Sequence, residues 1–317
     1  MALADRVDAV LREGKAPNLH GLVVVENGQI ILERYGAGQD VKLNEPLGHV
    51  TFGPDTLHDV RSVTKSVVSL LYGIALAEKL VAPPAEGLLA QFPEYQDLAA
   101  DPQRARLTIE HALTMTLGME WDESVPYTST ANSELAMEYA PDRYRFVLER
   151  PIVEEPGRRR IYSGGATALI GRIIVKGTGR SLAEFARNAL FEPLGIGAFE
   201  WSQGDDGDEM AAAGLRLTPR DLAAIGTLVL DGGRGIVPRS WIEELSRPRV
   251  KIDDRSHYSY QWYVGTGERP SIAAHGNGGQ VIHVAPERGL VVAVTAGEYN
   301  LEQLSSAAVL DAVLEGV

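Results

Sequence analysis

The sequence predicts an α+β protein in which one antiparallel sheet is assembled from both ends of the chain and flanked by the terminal helices, with a mainly helical segment inserted between. Three observations predict it. A helix followed by a hairpin pattern opens the chain, a hairpin followed by a helix closes it, and residues 62 to about 240 carry helical periodicities broken by Pro and Gly loops. At 317 residues the chain can bury a sizeable core as one large or two interlocked domains. The expected division is a discontinuous sheet domain, 1–60 and 241–317, a helical insertion, 61–240, and a functional site at their interface.

In chain order, residues 3–13 alternate charge and apolar groups as an amphipathic helix does. Gly21-Leu-Val-Val-Val-Glu and Gln29-Ile-Ile-Leu-Glu-Arg-Tyr flank Asn27-Gly28, the strongest short hairpin signal. Helices are expected near 64–79, 108–117, 133–149, 166–177, 181–192 and 218–232. Gln280-Val-Ile-His-Val-Ala, the turn Pro286-Glu-Arg-Gly289 and Leu290-Val-Val-Ala-Val-Thr-Ala read as a second hairpin, and 301–315 as the closing helix. There are no internal repeats and no low-complexity tract.

The 30 basic and 43 acidic residues leave a net charge of -13, which argues against nucleic acid or an anionic membrane as partner. No window approaches the run of about 18 apolar residues that a membrane span needs. The first residues lack the unbroken apolar stretch of a signal peptide, so a cytoplasmic protein is the expectation. Without cysteine, thiol catalysis, disulfides and Cys-ligated metals are excluded.

Chemistry concentrates at three places. In Ser62-Val63-Thr64-Lys65, one helical turn puts a hydroxyl and an amine on the same face, a nucleophile beside a possible base. The apolar run that follows (Val67, Val68, Leu70, Leu71, Ile74, Leu76) carries the helix into a core, where desolvation is expected to lower the lysine pKa and free its lone pair. The same residues also read as a helix start with Ser62 or Thr64 as cap and Lys65 in solvent.

The second place is Pro156-Gly-Arg-Arg-Arg-Ile-Tyr162-Ser163-Gly164-Gly165, a turn and extended stretch that bring a tyrosine to a helix-opening loop. A phenol beside an ammonium ionises more readily, so Tyr162 is a candidate general base, or else a core tyrosine. Arg158, Arg159 and Arg160 read as surface charges, or one of them as a partner for an acidic group of a substrate. The third is Ala274-His275-Gly276-Asn277-Gly278-Gly279-Gln280, whose small residues let a ligand approach backbone N–H groups, or simply make a turn.

Taken in order, these stations resemble the serine β-lactamase and penicillin-binding-protein superfamily. Leu107-Thr-Ile-Glu-His-Ala-Leu-Thr-Met-Thr-Leu-Gly-Met-Glu-Trp121 looks like the family segment written TIRHLLTMTSGLEW. Ala213-Gly-Leu-Arg-Leu-Thr-Pro-Arg-Asp-Leu-Ala and Tyr260-Gln-Trp262 match later landmarks, so the similarity spans roughly residues 20–300. Within the superfamily the chain is most similar to the class C-like branch that includes esterases and 6-aminohexanoate-dimer hydrolases.

The resemblance implies a β-lactamase/transpeptidase-like fold, no metal and no organic cofactor. It implies Ser62 as acylated nucleophile, Lys65 as proton acceptor or relay, Tyr162 as general acid/base, and backbone N–H groups of Ser62 and of Asn277 or Gly278 as oxyanion hole. Penicillin-recognising members read Tyr-x-Asn where this chain has Gly164, and Lys-Thr-Gly where it has His275-Gly276-Asn277. Both differences favour a small ester or unstrained amide over a β-lactam. A transacylase or D-amino-acid peptidase, a β-lactamase, and a silent penicillin-binding-like sensor domain are the alternatives. Loop 119–135 is expected to wall the cleft, with Trp121 and Tyr127 touching substrate beside Gly164 and His275.

Overall fold

The computed structural model describes residues 1–301 and 304–315. Its framework is an eight-stranded antiparallel sheet. Its strand order is Gln29–Tyr35, Leu19–Glu26, Leu290–Ala296, Gln280–Ala285, Ser271–Gly276, Tyr263–Gly265, Ser256–Tyr258 and Val250–Lys251. The two chain ends meet in its interior, with Val24 opposite Val292. Asn27 and Gly28 both adopt positive φ, 50° and 78°, as a two-residue hairpin turn requires.

Successive side chains of Leu19–Glu26 point to opposite faces, and both faces are covered, so seven of its eight residues are buried. On one face Leu22, Val24, Val292 and Val294 pack with Val7 and Val309 of the terminal helices Leu3–Arg12 and Ser305–Leu314. On the other, Val23, Val25, Val291 and Ala293 join a core that runs through the helices Pro219–Leu230, Val63–Ala77 and Gly164–Thr178. The apolar runs are continuous rather than alternating because these central strands have no wet face, whereas the edge strand Gln29–Tyr35 buries one residue of its seven. The α+β class read from the sequence is the class observed.

Several elements differ from expectation for local reasons. The helix expected over 133–149 is two helices, Ser133–Glu138 and Arg143–Leu148, because Pro141 cannot continue the first and Asp142 caps the second by accepting from the Arg145 N–H. That expected over 108–117 stops at Leu113, since Met115 turns to φ +58°. That over 181–192 is α-helical through Ala186, widens over Arg187–Phe191 and tightens over Glu192–Leu194 before ending at Gly195, φ +78°. The closing helix begins at Ser305; Glu302 and Gln303 of its expected span, and Gly316 and Val317 of the expected sheet domain, lie outside the described residues.

A separate hairpin, Ala37–Lys42 with Glu45–Thr51, and the helix Arg239–Leu245 carry no strong sequence pattern. Among the described residues no helix is long and apolar enough to cross a membrane.

Candidate active site

The short strand His58–Asp59 pairs with Leu215–Leu217 and leads into Arg61, which sits at φ +48°. A non-glycine residue held there is strained and needs the surroundings to fix it. Asp59 does so from a fully buried position: its carboxylate accepts the Arg61 N–H at 2.9 Å and the Leu43 N–H at 2.6 Å, and pairs with the Arg61 guanidinium at 3.3 Å. The guanidinium also donates to the Leu43 carbonyl and lies 4.6 Å from the Tyr299 ring centre.

This turn delivers Ser62 to the N-terminus of helix Val63–Ala77. Its hydroxyl makes no capping hydrogen bond, which removes the reading of Ser62 as an ordinary cap. From Arg61 to Ala75 every residue is buried except Ser62, which is half-buried. The nucleophile candidate is thus the one point where a buried helix opens outward, at the positive end of the helix dipole, although the N–H groups of Val63, Thr64 and Lys65 already donate to the Val60, Arg61 and Ser62 carbonyls.

Lys65 is 1% exposed, and each of its three N–H donors has an acceptor: Ser62 Oγ at 3.0 Å, Glu134 Oε2 at 3.1 Å and the Ala212 carbonyl at 2.8 Å. Burial works to discharge the amine, but the Glu134 and Glu123 carboxylates outweigh it and hold the Lys65 pKa above the ordinary lysine value. The expectation of a neutral lysine is therefore overturned. Desolvation was legible in the apolar run, whereas its acidic partners were not.

Those partners are Glu134 and Glu123. Buried Asn132 caps helix Ser133–Glu138, accepting the Glu134 N–H at 3.0 Å and aiming that side chain inward. Gly164 makes room: a Cβ there would stand 2.0 Å from Glu134 Oε2. The Gly164 N–H donates to Glu123 Oε1 at 2.6 Å. Glu123 also accepts from the Trp121 indole at 2.6 Å and the Tyr127 hydroxyl at 2.8 Å. Its pKa is pushed up to about 7, first by burial and then by the Glu134 charge, against the pull of Lys65, the Gly164 N–H and the Trp121 indole.

Tyr162 precedes the helix Gly164–Thr178, which is capped by Ser163 Oγ accepting the Ala166 N–H at 3.1 Å. The Lys65 ammonium lies 5.1 Å from its ring centre. Burial, then Tyr263 and Glu123, raise the phenol pKa well above its usual value, and the neighbouring Ser62 hydroxyl opposes that rise without reversing it. Tyr162 is thus a neutral donor, correcting the expectation of easier ionisation. Arg158 and Arg159 are exposed and pair with Glu154 at 3.3 and 2.6 Å. Arg160 is no free surface charge: its guanidinium lies 4.9 Å from the Tyr162 ring centre and donates to the Tyr263 hydroxyl at 2.9 Å.

The glycine run abuts the Ser62 turn, since a Cβ on Gly276 would lie 2.4 Å from the Val60 carbonyl. Asn277 exchanges two 2.8 Å bonds with Asn300, and Gly278 takes φ +91°. His275, on strand Ser271–Gly276, is exposed and stands edge-on to Tyr263. Trp121 is 8% exposed and its indole packs beneath Gly165, where a Cβ would meet it at 2.6 Å. That places it behind the site rather than in the cleft. Tyr127 lines a cavity of about 310 Å³ together with Leu43, Asn44, Arg61, Glu134 and Met210.

Glu134, Asp59 and the Leu43-Asn44 turn were missed from the sequence. The bare Gly164, where penicillin-recognising members carry an asparagine, was the one signal that something else fills that space. Among the described residues no cluster of three or more His, Asp or Glu side chains is placed to hold a metal ion.

A family model described as Beta-lactamase matches residues 4–313. The 6-aminohexanoate-dimer hydrolase of Paenarthrobacter ureafaciens is 22% identical over 92% of this chain, which spans 76% of that enzyme. Esterase EstB of Burkholderia gladioli is 28% identical over 62% of this chain, which spans half the esterase (50%). Among solved structures, EstCE1, described as a hydrolase with promiscuous acyltransferase activity, superposes with a TM-score of 0.79 at 16% identity over 98% of each chain. That likeness is one of fold.

Proposed function

The chain belongs to the beta-lactamase family, and from that premise we propose that it is a serine hydrolase working through an acyl-enzyme on Ser62 to cleave a small ester or unstrained amide. The observation that carries the reading is the half-buried Ser62, alone in a buried helix start, with its hydroxyl 3.0 Å from Lys65 Nζ and the Tyr162 ring centre 5.1 Å from the same ammonium. Ser62 attacks the acyl carbon, its proton leaves by way of Lys65, and Tyr162 protonates the departing oxygen or nitrogen.

We assign the oxyanion hole to the backbone N–H of Ser62 and that of Asn277 or Gly278; the contact of Gly276 with the Val60 carbonyl, which sets the strand end against the Ser62 turn, supports this. The 310 Å³ cavity beside Glu134 suits a small acyl or leaving group.

An ester or amide is favoured over a β-lactam by two features. Glu134 occupies the space a side chain at 164 would fill, so no amide is offered there, and the third station presents the exposed imidazole of His275 where a lysine would meet a β-lactam carboxylate. The esterase and amide-hydrolase names of the two relatives support the same class. Steady-state turnover of p-nitrophenyl butyrate, a p-nitroanilide and nitrocefin tests it. Turnover of the first two that Ser62→Ala abolishes, with nitrocefin slow or inert, is expected; rapid nitrocefin turnover would make the protein a β-lactamase, and no turnover of any would favour a silent sensor.

A further inference from the structure

We infer that Glu134 is the terminal proton acceptor for acylation of Ser62, acting through Lys65 from the space vacated at Gly164. This rests on the acylation of Ser62 proposed above.

The hydrogen-bond inventory leads there. An ammonium at Lys65 has no lone pair for the Ser62 proton and donates to Ser62 Oγ instead. Of its other two acceptors, the Ala212 carbonyl cannot hold a proton, whereas the Glu134 carboxylate, 3.1 Å away, can. Tyr162, neutral, has its own proton to give and no room for another.

The step balances. Lys65 passes one proton to Glu134 Oε2, its freed lone pair takes the proton from Ser62 Oγ, and Oγ bonds to the acyl carbon, leaving an oxyanion. On collapse the bond to the leaving group breaks, the leaving group takes the Tyr162 proton, Lys65 restores Tyr162, and Glu134 restores Lys65. All four side chains end in their starting protonation except that Ser62 is acylated. Water repeats the cycle in deacylation. Glu134 therefore acts as a relay: in these steps it exchanges protons with Lys65 alone.

The charged and titratable groups facing Glu134 come from every side. They are Lys65 on helix Val63–Ala77, Glu123 and Tyr127 on the loop, Tyr162 across the site, Arg61 on the cavity wall, and Glu138 one turn on, paired with Arg143 at 2.9 Å. Glu123 is the nearest rival acceptor, but its oxygens are spent on the Trp121 indole, the Tyr127 hydroxyl and the Gly164 N–H rather than on Lys65.

The test is the burst rate constant for p-nitrophenyl butyrate, followed by stopped flow between about pH 5 and 10, for the wild type, Glu134→Gln and the pair Glu134→Ala/Gly164→Asn, with thermal melts to verify folding. In the wild type, acylation is expected to be fast already near neutral pH, because Lys65 can pass its proton to Glu134. Glu134→Gln keeps the size and a hydrogen bond but cannot accept a proton. It is expected to acylate about 10² to 10⁴-fold more slowly near neutral pH and to recover only at alkaline pH, where Lys65 must lose its own proton to water. The pair, which fills the same space with an amide, should show the same alkaline shift. A purely structural role would lower the profile without moving it, and that result, or an unchanged rate in a folded Glu134→Gln protein, would overturn the inference. Intact-mass detection of the adduct in wild type but not Ser62→Ala separates this failure from failure of the acyl-enzyme itself.

Discussion

Gly164→Ala is the smallest perturbation that reports on the site. A Cβ at 164 would lie 2.0 Å from Glu134 Oε2 and 2.6 Å from its Cδ, whereas real Cβ contacts stay beyond about 3.0 Å. The carboxylate must therefore retreat by about 1 Å or more, which breaks its 3.1 Å bond to Lys65 Nζ. The obstacle is the far end of a flexible side chain rather than backbone, so the fold should absorb it.

The loss is one charge-assisted hydrogen bond, about 1.5–3 kcal/mol, which converts to roughly a 10 to 150-fold drop in acylation rate if Lys65 must be held by Glu134. Stopped-flow burst kinetics with p-nitrophenyl butyrate measure the rate, and a thermal melt measures folding. The expected result is slow acylation with a midpoint within a few degrees of wild type. Wild-type acylation by a folded Gly164→Ala protein would refute the view that the empty position and the Glu134–Lys65 pair are one device.

Three other outcomes are expected. Tyr162→Phe should slow cleavage of a p-nitroanilide at least ten-fold more than cleavage of p-nitrophenyl butyrate, whose leaving group needs little protonation; equal losses would remove Tyr162 as the proton donor. Asp59→Ala strands the Arg61 and Leu43 N–H groups and an arginine, and should cost about 2–4 kcal/mol in urea unfolding, with a change under about 0.5 kcal/mol contradicting its role in holding the Ser62 turn.

Buried His20 and His58, 2.8 Å apart, have pKa values pushed down to about 4 and about 3, chiefly by burial. A depressed histidine pKa means the fold holds the neutral ring, so this stability is present above about pH 6.5 and lost as pH falls toward the folded values. Urea unfolding should therefore weaken by about 1–3 kcal/mol between about pH 7 and 5, less so in His20→Gln; equal pH slopes for the two proteins would contradict this.

The features that local signals encode were legible. Asn27-Gly28 sets its hairpin by its own dihedral preferences, and the Val-rich runs of Leu19–Glu26 and Leu290–Ala296 reveal strands covered on both faces. Ser62 and Lys65 meet because a single helical turn brings them together.

Glu134 was not legible, because its bond to Lys65 joins residues 69 apart and depends on a side chain that Gly164 lacks. The charge state of Lys65 followed the same pattern: the burial that should neutralise it was visible in the sequence, and the carboxylates that keep it charged were not. Trp121, placed in the cleft from its loop alone, packs under Gly165 because the loop folds back through Glu123 onto the Gly164 N–H. Polar, short elements such as Ala37–Lys42 and Ser256–Tyr258 have too little periodicity to announce themselves.

The most direct measurement is intact-protein and peptide mass spectrometry of wild type and Ser62→Ala quenched during reaction with p-nitrophenyl butyrate. A transient butyryl adduct on the peptide carrying Ser62, absent from the variant, is the predicted result. An adduct on another residue, or undiminished turnover by Ser62→Ala, would contradict the account at its centre.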